Sequence, residues 1–179
     1  HGGPWARDAY GYSGYAQWLA NRGYSVLSVN YRGSTGFGKS FVNKSDGEWA
    51  GKMHDDLLDA VDWAVKNGVT TKDDVAIMGG SYGGYMVLAS LMHYSDRIRA
   101  GVDVVGISHF GTFLKNTESY RRDLRRVEYG DERDPAMAKV FEQISPLNNA
   151  GKIKSPLFVA QGRNDPRVPW TEAEQIVKA

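Results

Sequence analysis

The sequence predicts an α/β fold in which a mostly parallel sheet is covered by helices on both faces. Short β-rich runs alternate along the chain with segments of helical periodicity, and strands joined through helices pair in parallel. No internal repeat, low-complexity tract or linker interrupts this alternation. An apolar content of 41% with 24% charged residues is typical of a folded globular protein. We expect residues 1–179 to form a single domain.

Charge and cysteine content exclude several classes of function. The net charge is +1 and the isoelectric point is near 8.1, so neither nucleic acid nor a membrane is expected as a partner. No uninterrupted apolar run is long enough to span a bilayer. The absence of cysteine excludes disulfides, thiolate zinc sites and cysteine nucleophiles. We expect a cytoplasmic protein without a metal or a cofactor.

The first half of the chain is predicted to contain two helices and one strand. Residues 15–22 (YAQWLANR) have a helical pattern that ends at Gly23, the residue type expected just past a helix. Residues 24–30 (YSVLSVN) alternate and carry β-branched side chains, which predicts a strand. Residues 55–67 place apolar side chains on one helical face, begin with two aspartates and stop at Gly68.

The second half supplies the rest of the predicted sheet. Residues 75–78 (VAIM) form a short apolar strand that runs into a glycine-rich turn, and residues 85–93 continue as a helix. Residues 101–107 (GVDVVGI) and 156–161 (PLFVAQ) are two further predicted strands. A last helix begins near Thr171, with two glutamates in its first turn.

A charged segment, residues 110–145, separates the last two predicted strands. It mixes five arginines with seven acidic residues. One interpretation is a solvated helical excursion held by ion pairs within its helices. The other is a wall of a substrate cleft, where an arginine meets a substrate carboxylate. The sequence leaves both open.

Gly79-Gly80-Ser81-Tyr82-Gly83 has the Gly-x-Ser-x-Gly pattern of a nucleophile turn. In such a turn a strand bends sharply into a helix with strained backbone angles at the serine, so its neighbours have to be small. The pattern here follows an apolar strand and precedes a helix, which is the required context. We therefore interpret Ser81 as the nucleophile of an α/β-hydrolase fold, with the helix N-terminus directed at the developing oxyanion.

A serine nucleophile needs a base, and the base needs an orienting carboxylate. In α/β-hydrolases the chain order is Ser, then the acid, then His, with the acid on a loop after a later strand. Asp165 occupies this place, because the strand 156–161 leads directly into Gly162-Arg163-Asn164-Asp165 and two prolines stiffen the rest of the loop. The alternative for Asp165 is an ordinary solvated turn residue.

The first four residues, His1-Gly2-Gly3-Pro4, form a candidate oxyanion loop. Such a loop can bring backbone N–H groups beside the serine and complete an oxyanion hole with the N–H of Tyr82. His1 precedes Ser81 in the chain, so we interpret it as a structural member of this loop and not as the catalytic base.

Four motifs together resemble the catalytic domain of the prolyl oligopeptidase family. They are HGGPW at residues 1–5, RGYSVLSVNYRGSTGFGKSF at 22–41, GGSYGGY at 79–85 and QGRNDPRVP at 161–169. The resemblance covers essentially the whole chain, in order, and is nearest to acylaminoacyl-peptidase and dipeptidyl-aminopeptidase-like bacterial members. It implies a serine peptidase for short peptides, with Ser81 as nucleophile, Asp165 as acid, and the N–H groups of Tyr82, Gly2 and Gly3 as oxyanion donors. It also implies a β-propeller elsewhere in the protein.

The histidine of this family pattern is missing. Family members place it after the acid, beyond one more helix and strand, but only 14 residues follow Asp165 and none is histidine. We interpret His54, His93 and His109 as structural residues, so the catalytic histidine is not in this chain. The first strands and the last strand and helix of the fold are also missing. We therefore expect a partial catalytic domain, truncated at both ends.

The residues support three functional hypotheses. The first is a serine peptidase that acts on short peptides through an acyl-enzyme. The second is a carboxylesterase that uses the same residues on small acyl esters, since the fold supports both chemistries. The third is an inactive hydrolase-like scaffold, because the triad histidine is absent from these residues.

Overall fold

The computed structural model describes all residues 1–179 and contains a parallel sheet of three strands. Strands β1 (Ala76–Gly80), β2 (Ala100–Val104) and β3 (Leu157–Ala160) pair in the order β1-β2-β3. Both pairings are parallel, with Gly79 opposite Asp103. The predicted parallel α/β arrangement is confirmed.

The chain forms eight helices in addition to this sheet. They are α1 (Gly14–Ala20), α2 (Lys39–Asn43), α3 (Lys52–Lys66), α4 (Tyr82–Tyr94), α5 (Phe110–Asn116), α6 (Ser119–Tyr129), α7 (Pro135–Ile144) and α8 (Trp170–Lys178), with a 3₁₀ helix at Pro146–Lys152. The four helices predicted from their patterns are present as α1, α3, α4 and α8, and both α3 and α4 begin three residues earlier than predicted. None of the helices combines the length and the apolar character that crossing a membrane requires.

The strand predicted over residues 24–30 is wrong, since this segment is not paired into the sheet. A strand is stabilised by its hydrogen-bonded neighbours, and alternation in the sequence cannot show whether a neighbour is present. Tyr24 and Leu27 are accordingly 60% and 50% exposed. The strand predicted at 101–107 is also shorter than expected, because the chain leaves the sheet at Val105, where φ is +50°.

Helix α4 is the centre of the core. Every residue from Tyr82 to Met92 is buried, and the helix packs directly on β1 and β2. Its other side contacts a cluster of aromatic rings from α5, α6 and α7. The ring centroids of Tyr82 and Tyr129 are 5.8 Å apart and stacked, and those of Tyr85 and Phe110 are 4.7 Å apart and edge-on. An all-round apolar helix is expected where one element is enclosed on all sides.

The charged segment 110–145 folds into α5, α6 and α7 and carries local ion pairs. Arg126 contacts Asp123 at 2.9 Å and Glu132 at 2.5 Å, and Arg125 pairs with Glu128 three residues further along α6. Spacings of three residues bring side chains together on a helix surface. The predicted helices and ion pairs are confirmed, but the predicted solvation is wrong in part, because Phe110, Tyr129 and Phe141 of this segment are buried in the core.

His54 gives the fold a dependence on pH. Its side chain lies in α3, fully buried and edge-on to Tyr85, and neither ring nitrogen has a hydrogen-bond partner of good geometry. Burial, with a smaller contribution from His93, lowers the pKa of His54 from 6.5 to about 4. The folded protein therefore binds this proton less well than the unfolded chain, and the associated stability is present above pH 6.5 and lost as the pH falls towards 4.

We predict that His54→Leu removes this component of acid sensitivity. From pH 7.5 to pH 5 the wild type should lose about 2 kcal/mol of unfolding free energy through His54, a loss that the variant escapes. Urea unfolding at both pH values measures the difference. His93→Gln, at the exposed end of α4, is the control and should keep most of the wild-type pH dependence. Equal slopes for wild type and His54→Leu would contradict the prediction.

Candidate active site

Ser81 lies at the junction of β1 and α4 with φ +59° and ψ −120°, a backbone conformation that residues with a side chain rarely adopt. Its N–H donates to the carbonyl of Val104 at 2.9 Å, and its own carbonyl accepts from Gly84 and Tyr85. A Cβ at Gly79 would lie 2.3 Å from the carbonyl oxygen of Gly83. The backbones of β1 and α4 therefore approach so closely that only glycine fits at position 79.

Tyr82 follows Ser81 as the first residue of α4. A backbone N–H at this position has no acceptor within the helix, so it is free to bind a group placed beside the serine. The Tyr82 side chain points the other way, into the core, where it is completely buried. The partial positive charge of the helix N-terminus also favours a negatively charged group beside the serine.

The loop of residues 1–4 lies against this turn. A Cβ at Gly2 would be 3.1 Å from the carbonyl oxygen of Gly80 and 3.4 Å from Cβ of Ser81. Two tyrosine hydroxyls hold the loop: Tyr31 donates to the carbonyl of His1 and Tyr129 to that of Gly3, both at 2.6 Å. The predicted oxyanion loop and the turn at Ser81 are thus adjacent.

The His1 ring is occupied by contacts within its own loop and with its immediate neighbours. It stacks on Tyr31 with ring centroids 4.4 Å apart, and its Nε2 lies 2.8 Å from the hydroxyl of Ser34. These contacts fit the structural role that the sequence predicted for His1.

Asp165 follows β3 in a loop that fixes one of its carboxylate oxygens. Oδ1 accepts from the backbone N–H groups of Arg167 at 2.8 Å and Val168 at 3.1 Å. Side chains of aspartate commonly bind backbone two residues ahead in this way, which sets the orientation of the carboxylate. The other oxygen, Oδ2, has no hydrogen-bond partner within the chain and remains available.

Ser81 and Asp165 line the same open cleft, which has a volume of about 570 Å³. The rest of its lining comes from Val105 and from the remaining residues of the segment 162–168. No residue of the segment 110–145 lines this cleft. The alternative interpretation of that segment, as a wall of a substrate cleft, stays a prediction. No histidine lines the cleft either.

The remaining histidines lie elsewhere. His54 is buried in α3, and His93 is in the last turn of α4. His109 caps the N-terminus of α5, where Nδ1 accepts from the N–H groups of Gly111 and Thr112 and Nε2 lies 3.2 Å from Glu142. The structure thus brings three predicted segments together, at 1–3, 81–82 and 165, without a histidine base among them.

Comparison with known proteins assigns the chain to a family. Residues 10–179 match the family model described as the prolyl oligopeptidase family. The chain belongs to the prolyl oligopeptidase family. This confirms the resemblance that the four sequence motifs carried.

Individual relatives agree with this membership. The chain is 59% identical to dipeptidyl aminopeptidase BIII of Pseudoxanthomonas mexicana and 46% identical to dipeptidyl peptidase family member 6 of Caenorhabditis elegans, in each case over all of the chain. It spans 26% and 25% of those two relatives, about a quarter of their length.

Solved structures of family members establish the fold. A puromycin-hydrolyzing peptidase of Mycobacterium tuberculosis superposes with a TM-score of 0.93 at 30% identity, over 99% of this chain and 27% of that one. The acylaminoacyl peptidase of Pyrococcus horikoshii gives 0.92 at 26% identity, over 99% of this chain and 29% of that one. The α/β-hydrolase fold predicted from the turn at Ser81 is therefore confirmed for this member of the prolyl oligopeptidase family.

Two buried acids near the site were not predicted. Asp103 on β2 is 1% exposed and lies against the α-carbons of Gly84 and Gly106, and burial raises its pKa to about 7. Glu172, which the sequence suggested only as a favourable charge in the first turn of a helix, is fully buried. The sequence could have indicated that Glu172 is buried, since helical spacing places it on the same face as the apolar Ile176. No sequence signal distinguishes Asp103.

We predict that Gly79→Ala disrupts the turn, because its new methyl group would overlap the backbone at Gly83. Overpacking of this kind costs roughly 1–3 kcal/mol of unfolding free energy. Gly11→Ala is the matched control, since nothing lies within 4 Å of a Cβ there, and should change stability by less than about 0.5 kcal/mol. Denaturant unfolding measures both variants, and a Gly79→Ala protein as stable as the Gly11→Ala control would refute the close approach.

Proposed function

We propose that this chain is the catalytic part of a serine peptidase that hydrolyses short peptides. Ser81 is the nucleophile, Asp165 orients a histidine that lies outside these residues, and the N–H of Tyr82 with those of Gly2 and Gly3 binds the oxyanion. The observation that carries the proposal is the strained Ser81 at a helix N-terminus, in one cleft with a fixed aspartate. The relatives support the substrate class, since their names describe dipeptidyl aminopeptidases and acylaminoacyl peptidases.

The proposed reaction is based on the positions of these groups. Ser81 Oγ forms a bond to the carbonyl carbon of the peptide while the histidine accepts the hydroxyl proton. The tetrahedral oxyanion accepts hydrogen bonds from the backbone donors, each worth about 2.7–4 kcal/mol. The C–N bond then breaks and the histidine protonates the leaving amine. Water then gives a proton to the histidine and bonds to the acyl carbon, the bond from that carbon to Ser81 Oγ breaks, and the histidine returns the proton to Oγ, which releases the acid.

We also propose the domain organisation of the whole protein. Residues 1–179 form one partial α/β-hydrolase catalytic domain, and a β-propeller lies elsewhere in the longer protein. The quarter of the relatives' length that the chain spans supports this organisation. The cytoplasmic location stays a prediction.

We predict that Ser81→Ala and Asp165→Asn inactivate the longer protein that carries this chain. Asp165→Asn should lower kcat by about 10⁴-fold, because the histidine loses its orientation. Asp96→Asn, on an exposed turn without an ion pair, is the matched control and should keep wild-type activity. The measurement is release of product from short peptide amides compared with p-nitrophenyl esters. A clear preference for esters would favour the carboxylesterase hypothesis, and unchanged activity of Asp165→Asn would exclude Asp165 as the acid.

We predict that the 179-residue chain by itself reacts slowly with a fluorophosphonate at Ser81. A site without its base retains only about 10³–10⁴-fold rate enhancement over water, because the serine hydroxyl stays protonated. The longer protein should label rapidly and stoichiometrically under the same conditions. Rapid labelling of the isolated chain would mean that one of its own histidines serves as the base. Slow labelling of both would favour the inactive scaffold.

A further inference from the structure

Glu172 is a fully buried carboxylate next to the proposed site. It lies in the first turn of α8 with 0% of its surface exposed, seven residues after Asp165. A charged group in this position is costly unless hydrogen bonds replace its water shell. Burial raises the pKa of Glu172, while the hydrogen bonds it accepts act in the opposite direction.

The hydrogen bonds to Glu172 come from one segment, residues 108–112, which joins the end of the β2–α5 connection to the first turn of α5. Oε2 accepts from the backbone N–H groups of Ser108 at 3.0 Å and His109 at 2.9 Å. Oε1 accepts from the hydroxyl of Thr112, and the Ser108 hydroxyl donates to the Glu172 carbonyl at 2.7 Å. Each of these bonds therefore crosses from α8 to residues 108–112.

This connection begins beside the turn at Ser81, at the end of β2. The carbonyl of Val104 accepts the N–H of Ser81, and the next residue, Val105, lines the cleft. Val105 also donates to the carbonyl of Ala160 at the end of β3, just before the loop that carries Asp165. The Glu172 carboxylate is thus bonded to the segment that follows β2, and β2 is hydrogen-bonded to the turn at Ser81.

Glu172 is also joined to the loop of Asp165 by a short, stiff stretch. Two prolines, Pro166 and Pro169, lie between the two acids and restrict the backbone. The loop has a second attachment near the start of α6, where the Thr117 hydroxyl donates to the Arg167 carbonyl at 2.8 Å and the Glu118 N–H to that of Pro166 at 3.2 Å.

We propose that Glu172 is a positioning residue, which holds the loop of Asp165 at a fixed distance from Ser81 by joining α8 to the β2–α5 connection. In this role Glu172 touches neither the substrate nor the catalytic histidine and acts through Asp165. Because Asp165 is itself a proposed catalytic residue, this role rests on the proposed function. A displacement of about 1 Å at a catalytic group can cost roughly 10²-fold in rate, so such an attachment has kinetic consequences.

The length of the side chain, more than its charge, is the property that this role needs. Glutamine has the same length and its carbonyl oxygen can accept the two backbone N–H groups. Its amide can donate to Thr112 Oγ1, whose single proton can then turn to the His109 carbonyl, 3.0 Å away. Aspartate keeps the charge but is one methylene shorter, so α8 would have to move to keep the bonds.

The experiment compares Glu172→Gln, Glu172→Asp and Glu172→Ala in the longer protein, with kcat and KM for a short peptide amide. We expect Glu172→Gln to stay within about threefold of wild type, while Glu172→Asp loses about tenfold or more in kcat with little change in KM. Glu174→Ala is the matched control, since this glutamate is on the same helix and its carboxylate pairs with Lys178 at the surface, and it should behave as wild type. If Glu172→Ala does not fold, the Gln and Asp variants decide the question.

A double variant separates positioning from a merely structural role. If Glu172 acts through Asp165, adding Glu172→Asp to Asp165→Asn should lower kcat by less than about twofold further. A full additional loss in the double variant, or wild-type kcat in Glu172→Asp, would overturn the proposal. The proposed function fails separately, because it requires Asp165→Asn alone to inactivate the protein.

Discussion

The structure depends on the close approach of β1 and α4 at Gly79 and Gly83. Without side chains at these positions the helix can begin immediately after the strand, which forces Ser81 into a left-handed backbone conformation. The same approach brings the whole of α4 onto the sheet, where it is buried from Tyr82 to Met92. The strain at the serine is thus maintained by the packing of the largest buried helix.

The other parts of the site are loops, and buried polar contacts hold them. Tyrosine hydroxyls fix residues 1–4 against the turn, and the carboxylate of Glu172 joins α8 to the β2–α5 connection. Loops lack the ladder of backbone hydrogen bonds that fixes a strand, so side chains must supply comparable restraint. The acids and tyrosines of the core therefore contribute to the geometry of the site as well as to stability.

Short-range features of this family member were predictable. The turn at 79–83, the C-terminal end of α3 and the ion pairs of α6 depend on residues within a few positions of each other. The strand expected at 24–30 was wrong for the opposite reason, because strand formation depends on a neighbour that a local pattern does not identify. The family motifs placed Ser81 and Asp165 in one site, and the structure has them in one cleft.

The sequence by itself determined the fold class, the nucleophile turn and the order of the candidate groups, since glycine spacing and hydrophobic periodicity act locally. Only the tertiary structure decided that aromatic side chains of segment 110–145 join the core and that Glu172 is fully buried while the Glu174 side chain is 39% exposed. Two glutamates in one helical turn look alike in a sequence. Which of them is buried depends on the donors that a distant segment brings to it, and that is a property of the packed chain.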